Sequence, residues 1–284
     1  VAGTTTPLQH ETGLSEQEKL DGWILGCVRS AETDLTIEVD DLAGIELPTA
    51  KTWPCRISQI KRLATDVIQV LLRLPPTANF SFIPGQYIDI IGPEGVRRSY
   101  SLANANFEEK TLEVHIREVN GGEMSQYWFN QAKVNDLLRL HGPLGTFFLR
   151  DSANMDLFFL ATGTGIAPIK AILESMASTD FEQHPKSVTV LWGGRNSQDH
   201  YMDISQIPGD HTFIPVQSRS ATDWPGAKGY VQDVLLGLAP DLENAAIYAC
   251  GSVAMIQSAR EHVVNAGLPE KYFYSDAFVC SGTN

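Results

Sequence analysis

Leu157-Phe158-Phe159-Leu160-Ala161-Thr162-Gly163-Thr164-Gly165-Ile166-Ala167-Pro168 runs from an apolar, strand-like stretch through a glycine-rich turn into a helix with Pro168 in its first turn. Residues 157–161 carry no polar side chain, as a strand buried on both faces requires. Glycines at such a turn let a backbone approach a phosphate closely. The turn is not G-x-G-x-x-G, so the usual dinucleotide fingerprint is absent, and a plain tight strand-to-helix turn is the competing reading.

Outward from this stretch, towards the C-terminus, strands and helices alternate. Strand 157–161 and helix 166–177 are followed by strands 188–192 and 212–216, helix 231–238, strand 246–249, helix 254–266 and strand 272–274. That rhythm predicts an α/β doubly wound parallel sheet, which takes ligands at the carboxyl ends of its strands. Trp192-Gly193-Gly194-Arg195 and Ser218-Arg219 put guanidinium groups at two such ends, although either arginine could be a solvated loop residue. Tyr248-Ala249-Cys250-Gly251-Ser252-Val253-Ala254-Met255 puts a thiol at a third end, beside a helix start. A buried, inert cysteine and a thiol set against a reacting carbon are the two readings of Cys250. Ser275-Asp276-Ala277-Phe278 places an acid and an aromatic near the end of the chain, where a docked tail is the plain alternative.

Towards the N-terminus, residues 55–150 read as short alternating strands at 55–60, 67–74, 86–91, 98–102, 112–118 and 137–141. Pro75-Pro76, Pro84-Gly85 and Gly92-Pro93 separate several of them, and one helix, 125–130, interrupts the series. This spacing predicts an all-β antiparallel barrel. Within it lies Arg97-Arg98-Ser99-Tyr100-Ser101-Leu102-Ala103-Asn104, where Arg98 and Tyr100, two apart on a strand, share a face. A guanidinium can hold a phosphate while a phenol lies against a flat ring. Gly122-Glu123-Met124-Ser125 ends a loop and opens a helix, presenting N–H groups to an anion or simply forming a Ser-capped start.

The chain has 284 residues, enough for two ordinary domains with cores of their own, and no apolar run near membrane-spanning length. Its 21 basic and 34 acidic side chains give a net charge of −13, which repels nucleic acid and anionic membrane. Cys27, Cys55, Cys250 and Cys280 form no C-x-x-C pair, so neither a disulfide framework nor a closed metal site is expected, and a reduced, cytoplasmic setting is. Residues 1–50 are polar and acidic, with a short helix over 14–20 capped by Ser15 and a strand-like stretch at 34–39. Pro48 to Pro54 reads as a linker.

In this order the residues from Cys55 to Phe278 resemble the ferredoxin-NADP reductase superfamily. The matches are R-x-Y-S at Arg98 to Ser101, His115-Ile116-Arg117, G-x-x-S at Gly122 to Ser125, G-T-G-I-A-P at Gly163 to Pro168, C-G-x-x-x-M at Cys250 to Met255, and Asp276-Ala277-Phe278. The resemblance implies an FAD-binding barrel over 49–150 and an NAD(P)H-binding domain over 151–284. It implies that Arg98 binds the FAD pyrophosphate beside Ser99, that Tyr100 stacks on the isoalloxazine, and that Ser101 bonds near its reactive nitrogen. His115, Ile116 and Arg117 would run along the ribityl and adenylate side, with Gly122, Met124 and Ser125 closing on the phosphates. Thr164 and Cys250 would line the nicotinamide pocket. Gly163, Gly165, Arg195, Ser218, Arg219, Gly251 and Met255 would contribute to the coenzyme site. Phe278 would cover the flavin face and move during turnover. Ser101, Thr164, Cys250 and Phe278 are the expected catalytic set.

Residues 14–27 look like the end of a plant-type [2Fe–2S] ferredoxin domain, in which Cys27 would be the fourth cluster ligand. The C-x₄-C-x₂-C loop with the other three is not in this chain, so one cysteine is left and the chain alone cannot hold the cluster. Residues 1–48 are therefore expected to be a remnant of that domain; Val1 without a Met before it suggests a natural protein that begins earlier, and a degenerate remnant with no cluster is the alternative. Ferredoxin, flavin barrel and pyridine-nucleotide domain in this order is the layout of the iron–sulfur flavoprotein reductases of the oxygenase-reductase and CDP-6-deoxy-3,4-glucoseen reductase type. The resemblance implies hydride transfer from NAD(P)H to FAD, then single electrons through an iron–sulfur centre to an oxygenase or dehydrase-type partner. A free-flavin reductase and a non-enzymatic electron-transfer or binding subunit are the alternatives. Ser218-Arg219, with Tyr230-Val231-Gln232, looks like a 2′-phosphate site and favours acceptance of NADPH.

Overall fold

The computed structural model describes residues 2–9, 11, 14, 19–38, 42, 44–178 and 184–278. The chain forms two compact units, Val1–Glu46 and Leu47–Asn284. In the first, β1 (Thr5–Pro7) pairs antiparallel with β2 (Arg29–Ala31), just after the 3-10 turn Gly26–Val28 that contains Cys27. Glu11 anchors this unit, its carboxylate accepting from the Arg29 Nε and Nη2 at 2.7 Å each and from the Leu25 N–H at 3.1 Å. The expected strand over 34–39 is not formed: among its described residues only Thr36 pairs, through a bridge to Ala2. Among the described residues no strand ladders against it, and β-propensity without a partner strand makes no ladder. Val39 lies outside the described residues, as does the Ser15 cap; Lys19 and Leu20 of the expected helix are helical.

The second unit opens with β3 (Lys51–Ala64), β4 (Val67–Arg73), β5 (Tyr87–Ile91), β6 (Arg97–Ser101), β7 (Thr111–Arg117) and β8 (Leu137–Leu144). They form one antiparallel sheet in the order β6-β5-β8-β3-β4-β7. Its two edges meet where Leu102, just past β6, bridges Val114 of β7, which closes the barrel. Alternate residues such as Val70 and Leu72, Ile88 and Ile90, and Leu112 and Val114 are fully buried, the period-two pattern of a sheet with one face on a core. The expected linker at Pro48 to Pro54 is shorter than the sequence suggests, because β3 begins at Lys51 and residues 51–56 pair with β8. Pro54 is tolerated there because β3 has a single neighbour until its pairing with β4 starts at Arg56. The helix of the barrel, α1 (Glu123–Gln126), continues as one π turn, Tyr127–Gln131.

Then follow β9 (Asp156–Thr162), α2 (Ile166–Met176), β10 (Ser187–Gly194), β11 (Thr212–Gln217), β12 (Ala227–Lys228), α3 (Val231–Gly237), β13 (Ala245–Ser252), α4 (Val253–Asn265) and β14 (Phe273–Phe278). The sheet is parallel throughout, in the order β12-β11-β10-β9-β13-β14. Successive residues of β9 face opposite sides: Phe159 and Ala161 pack with Ile166, Ile169 and Ile172 of α2, whereas Phe158 and Leu160 pack with the layer of Val231, Leu235, Ile256 and Val263 from α3 and α4. Two apolar layers explain why β9 reads as an unbroken hydrophobic run. The fold is thus the expected barrel followed by a doubly wound sheet. The two-residue β12 carries no period and leaves no sequence signal. Between barrel and sheet the backbone N–H of Arg150 donates to the Tyr248 hydroxyl at 2.9 Å, and its guanidinium lies 3.8 Å over the Phe148 ring.

Candidate functional site

Two cavities adjoin at the seam between barrel and sheet. The first, of about 300 Å³, is walled by Arg98, Ser99, Tyr100 and Ser101 of β6, His115 and Arg117 of β7, Gly122, Met124 and Ser125 at the start of α1, Thr164 of the glycine-rich turn, and Phe278. Alternation along β7 explains which of its residues contribute: His115 and Arg117 face the cavity, while Ile116 between them is buried in the barrel core. Tyr100 is held edge-on to Trp128, whose Nε1–H donates to the Tyr100 hydroxyl at 3.0 Å, and burial pushes the phenol up to about 12. Arg98 is exposed and spends one N–H on the Arg97 carbonyl at 2.7 Å. The Ser125 hydroxyl accepts from the Val119 N–H at 2.8 Å and so fixes the loop that precedes α1.

The second cavity, of about 660 Å³, follows the carboxyl ends of β9, β10 and β11 and the starts of α3 and α4. Gly163, Arg195, Ser218 and Met255, which were expected at a coenzyme site, line it. Arg219 lines neither cavity: its side chain is exposed, and its backbone N–H donates to the Arg195 carbonyl at 2.8 Å. Thr164 opens onto the first cavity rather than the second. Gly165 and Gly251 line neither, and their small size serves packing. A Cβ on Gly165 would run into the Cys250 carbonyl, and one on Gly251 into the Thr162 hydroxyl. The Cys250 side chain is fully buried and also lines neither cavity. Burial, with the Asp276 charge adding to it, pushes the thiol well above its ordinary value, so it is a neutral S–H.

Arg117 belongs to both cavities. Its Nη1 lies 3.7 Å from Asp199 Oδ1 and its Nε 3.5 Å from Asp66 Oδ2, beyond good hydrogen-bond length. Its Nε and Nη2 are buried with no hydrogen-bond partner among the described residues. A guanidinium at the junction of two cavities, held in loose ion pairs with Asp66 and Asp199 and with N–H groups that make no hydrogen bond, fits the phosphates of a dinucleotide. Asp199 is a residue that sequence reasoning missed. Burial pushes its carboxyl up, yet the backbone N–H of Arg195 at 2.7 Å and the Arg195 guanidinium outweigh that and hold it below its usual range. Asp233, Ser258 and His262 also line the second cavity. They project from α3 and α4 and form no contiguous motif, so only the packing of the helices reveals them.

Asp276 was visible in the sequence as an acid near Phe278, without a role. It accepts from the Ser101 hydroxyl at 3.4 Å, across the seam. Burial raises its carboxyl above the usual 3.8, and the Ser101 bond only partly opposes this. A raised native value means that stability is lost as pH rises through it, since the native state must then bury the charge. Asp276→Asn should therefore melt higher than the parent at neutral pH, with the gap closing as pH falls towards about 4. Paired thermal melts over that range test this, and a gap that stays constant with pH would refute it.

Among the described residues no three His, Cys, Asp or Glu side chains are grouped to hold a metal ion. The Cys27 side chain lies outside the described residues. A [2Fe–2S] centre needs four cysteine ligands, the first unit's sequence holds one, and Cys55 and Cys250 are buried in the two cores. This chain's own residues do not fit the cluster. No helix among the described residues is long and apolar enough to cross a membrane.

Comparison with known proteins agrees with this layout. Residues 54–149 match the family Oxidoreductase FAD-binding domain, and residues 159–261 match Oxidoreductase NAD-binding domain. The chain is 40% identical over 275 residues to CDP-6-deoxy-L-threo-D-glycero-4-hexulose-3-dehydrase reductase of Yersinia pestis, covering 95% of this chain and 82% of that one. It is 32% identical to the xylene/toluene monooxygenase electron transfer component of Pseudomonas putida, covering 94% and 76%. Among solved structures, the cytochrome P450 reductase GcoB of Amycolatopsis superposes with a TM-score of 0.77 at 25% identity, covering 98% of this chain and 85% of that one. The ferredoxin reductase of carbazole 1,9a-dioxygenase gives 0.75 at 27%, covering 98% and 84%.

Proposed function

The chain belongs to the family of oxidoreductases that join an FAD-binding domain to a NAD-binding domain, and we propose that it is an NAD(P)H-dependent, FAD-containing reductase that supplies single electrons to an oxygenase or dehydrase-type partner protein. Residues 49–150 form the flavin domain in this reading, 151–284 the coenzyme domain, and 1–48 the ferredoxin-like remnant. One observation carries it: the two cavities share the Arg117 wall, so a ring held in the first and a nicotinamide entering from the second would meet at the seam. Relatives named as a dehydrase reductase and as a monooxygenase electron transfer component support the class of partner. An iron–sulfur centre on the route to that partner would need three cysteine ligands from outside this chain.

Bound FAD would supply hydride acceptance and one-electron release. The protein's part is position and electrostatics. Arg98, with Ser99, would hold the pyrophosphate, and Gly122, Met124 and Ser125 would close on it. The fixed Tyr100 ring would stack on the isoalloxazine. The Ser101 hydroxyl would hold a proton near the reactive nitrogen, backed by the half-buried Asp276 carboxyl. Thr164 would orient the incoming ring at the edge of the first cavity, with Cys250 behind it as a neutral thiol that excludes water. Phe278 must swing aside for that ring to enter. Arg117, Arg195 and Ser218 would take the coenzyme's phosphates, and we place NADPH among the accepted coenzymes and the cytoplasm as the setting.

The test is a visible absorption spectrum of the purified chain, before and after anaerobic NADH or NADPH. A flavin band that bleaches on mixing is the expected result. A colourless protein that cannot be reconstituted with FAD would overturn the proposal.

A further inference from the structure

The His115 side chain, although it borders the first cavity, has both ring nitrogens engaged by protein. Nε2 lies 2.8 Å from Glu113 Oε1, and Nδ1 lies 3.0 Å from the Tyr201 hydroxyl. Glu113 is acceptor-only when ionised, so Nε2–H donates to it, and Nδ1 shares the other bond with the Tyr201 hydroxyl. The same carboxylate accepts from Gln69 Nε2 at 2.8 Å and pairs with Lys170 Nζ at 3.4 Å. Burial alone would raise the Glu113 carboxyl, yet the His115 bond, the Lys170 charge and the Gln69 bond hold it at about 2, so it stays ionised.

These contacts cross the seam twice. Gln69, Glu113 and His115 belong to barrel strands β4 and β7, whereas Lys170 stands on α2 and Tyr201 on the loop after β10. Lys170 also donates to the Ala103 carbonyl of the barrel at 2.7 Å and to Glu174 at 2.6 Å, and Glu174 in turn accepts the Ala105 N–H at 3.1 Å. On the other arm, the Tyr201 ring meets His115 at 78° with centroids 5.5 Å apart and Trp192 at 87° with centroids 5.0 Å apart. The Trp192 Nε1–H donates to the Gly163 carbonyl at 3.0 Å, in the glycine-rich turn itself.

We propose that Glu113, His115, Lys170 and Tyr201 form a positioning relay that sets the register of the glycine-rich turn against the flavin barrel, with His115 acting through Tyr201 and Trp192 rather than as a ligand of the cofactor. The inference rests on the proposed reductase reading. A charged node buried at a seam is costly unless every bond is made, so the domains settle where all of them are made together. One rigid arm runs to the turn at Gly163, and the other runs to the helix that follows that turn. The distance between a ring bound at Tyr100 and one delivered past Thr164 is then fixed by side chains that touch neither.

Tyr201 lines neither cavity, so Tyr201→Phe is the primary variant. It removes one hydroxyl and keeps the ring between His115 and Trp192. Single-turnover flavin reduction is measured anaerobically across NAD(P)H concentrations, per bound FAD. The limiting rate should fall about tenfold, within the roughly hundredfold that a misplacement of about 1 Å can cost. FAD content and apparent coenzyme dissociation constant should stay near the parent's, while the melting temperature falls by the few degrees that a lost buried hydrogen bond costs. Lys170→Met, on the opposite arm, should show the same split between rate and binding, and stands in if Tyr201→Phe does not fold. An unchanged limiting rate in either variant would overturn the relay, as would losses confined to stability or FAD content. A parent protein whose flavin NAD(P)H does not reduce would instead overturn the reductase reading.

Discussion

Gly165→Ala will cost about 3 kcal/mol of stability and most of the coenzyme affinity, although alanine is the better helix former. The Gly165 backbone, at φ −60° and ψ −12°, is one that alanine adopts freely, so conformational strain does not enter. The cost is steric. An added Cβ would run into the Cys250 carbonyl oxygen and lie 2.6 Å from that carbonyl carbon and 3.0 Å from the Gly251 nitrogen. All three are backbone atoms of a buried strand, which cannot turn away as a side chain would. The turn must lift off β13, carrying Gly163 away from Arg117 and Thr164 away from the first cavity. Denaturant melts and coenzyme titrations of the variant test this; stability at or above the parent's would show that the turn is not wedged against β13.

Arg98→Ala will lower FAD affinity by about a hundredfold while leaving the FAD-free protein as stable as the parent within about 0.5 kcal/mol. The asymmetry follows from position. Arg98 is exposed, and its guanidinium donates to the carbonyl of its own neighbour, so the fold loses little when it goes. A pyrophosphate held by the guanidinium loses a charge-assisted contact, of the kind worth about 1.5–3 kcal/mol per bond. Flavin retained through gel filtration, with the melting temperature of the FAD-free form, separates the two effects. Retention equal to the parent's would take the pyrophosphate from Arg98.

Much of this was legible because it is local. The apolar run 157–161, the Gly-Thr-Gly turn and Pro168 are neighbours in sequence, and their chemistry allows little but strand, turn and helix. The period-two alternation of residues 67–74 and 112–118 survives as β4 and β7 within a residue or so. What failed locally turned on whether a partner strand lay beside the segment. Residues 34–39 have the composition of a strand, but among the described ones Thr36 alone is bridged, to Ala2. Residues 51–54 look like a linker, yet β8 lies beside them and makes them a strand.

The sequence by itself determined the order of barrel and sheet, and the motifs at Arg98 to Ser101 and at Gly163 to Pro168, because turns, periodicity and short motifs act between near neighbours. Only the tertiary structure decided which side chains share a wall. It set Arg117 between two cavities, turned Cys250 inward, left Arg219 outside, and joined Glu113 and His115 to Lys170 and Tyr201. His115 and Tyr201 are 86 positions apart, and Ser101 and Asp276 are 175. Contacts at that separation are set by how strands stack and domains dock, a property of the packed core that no window of sequence contains.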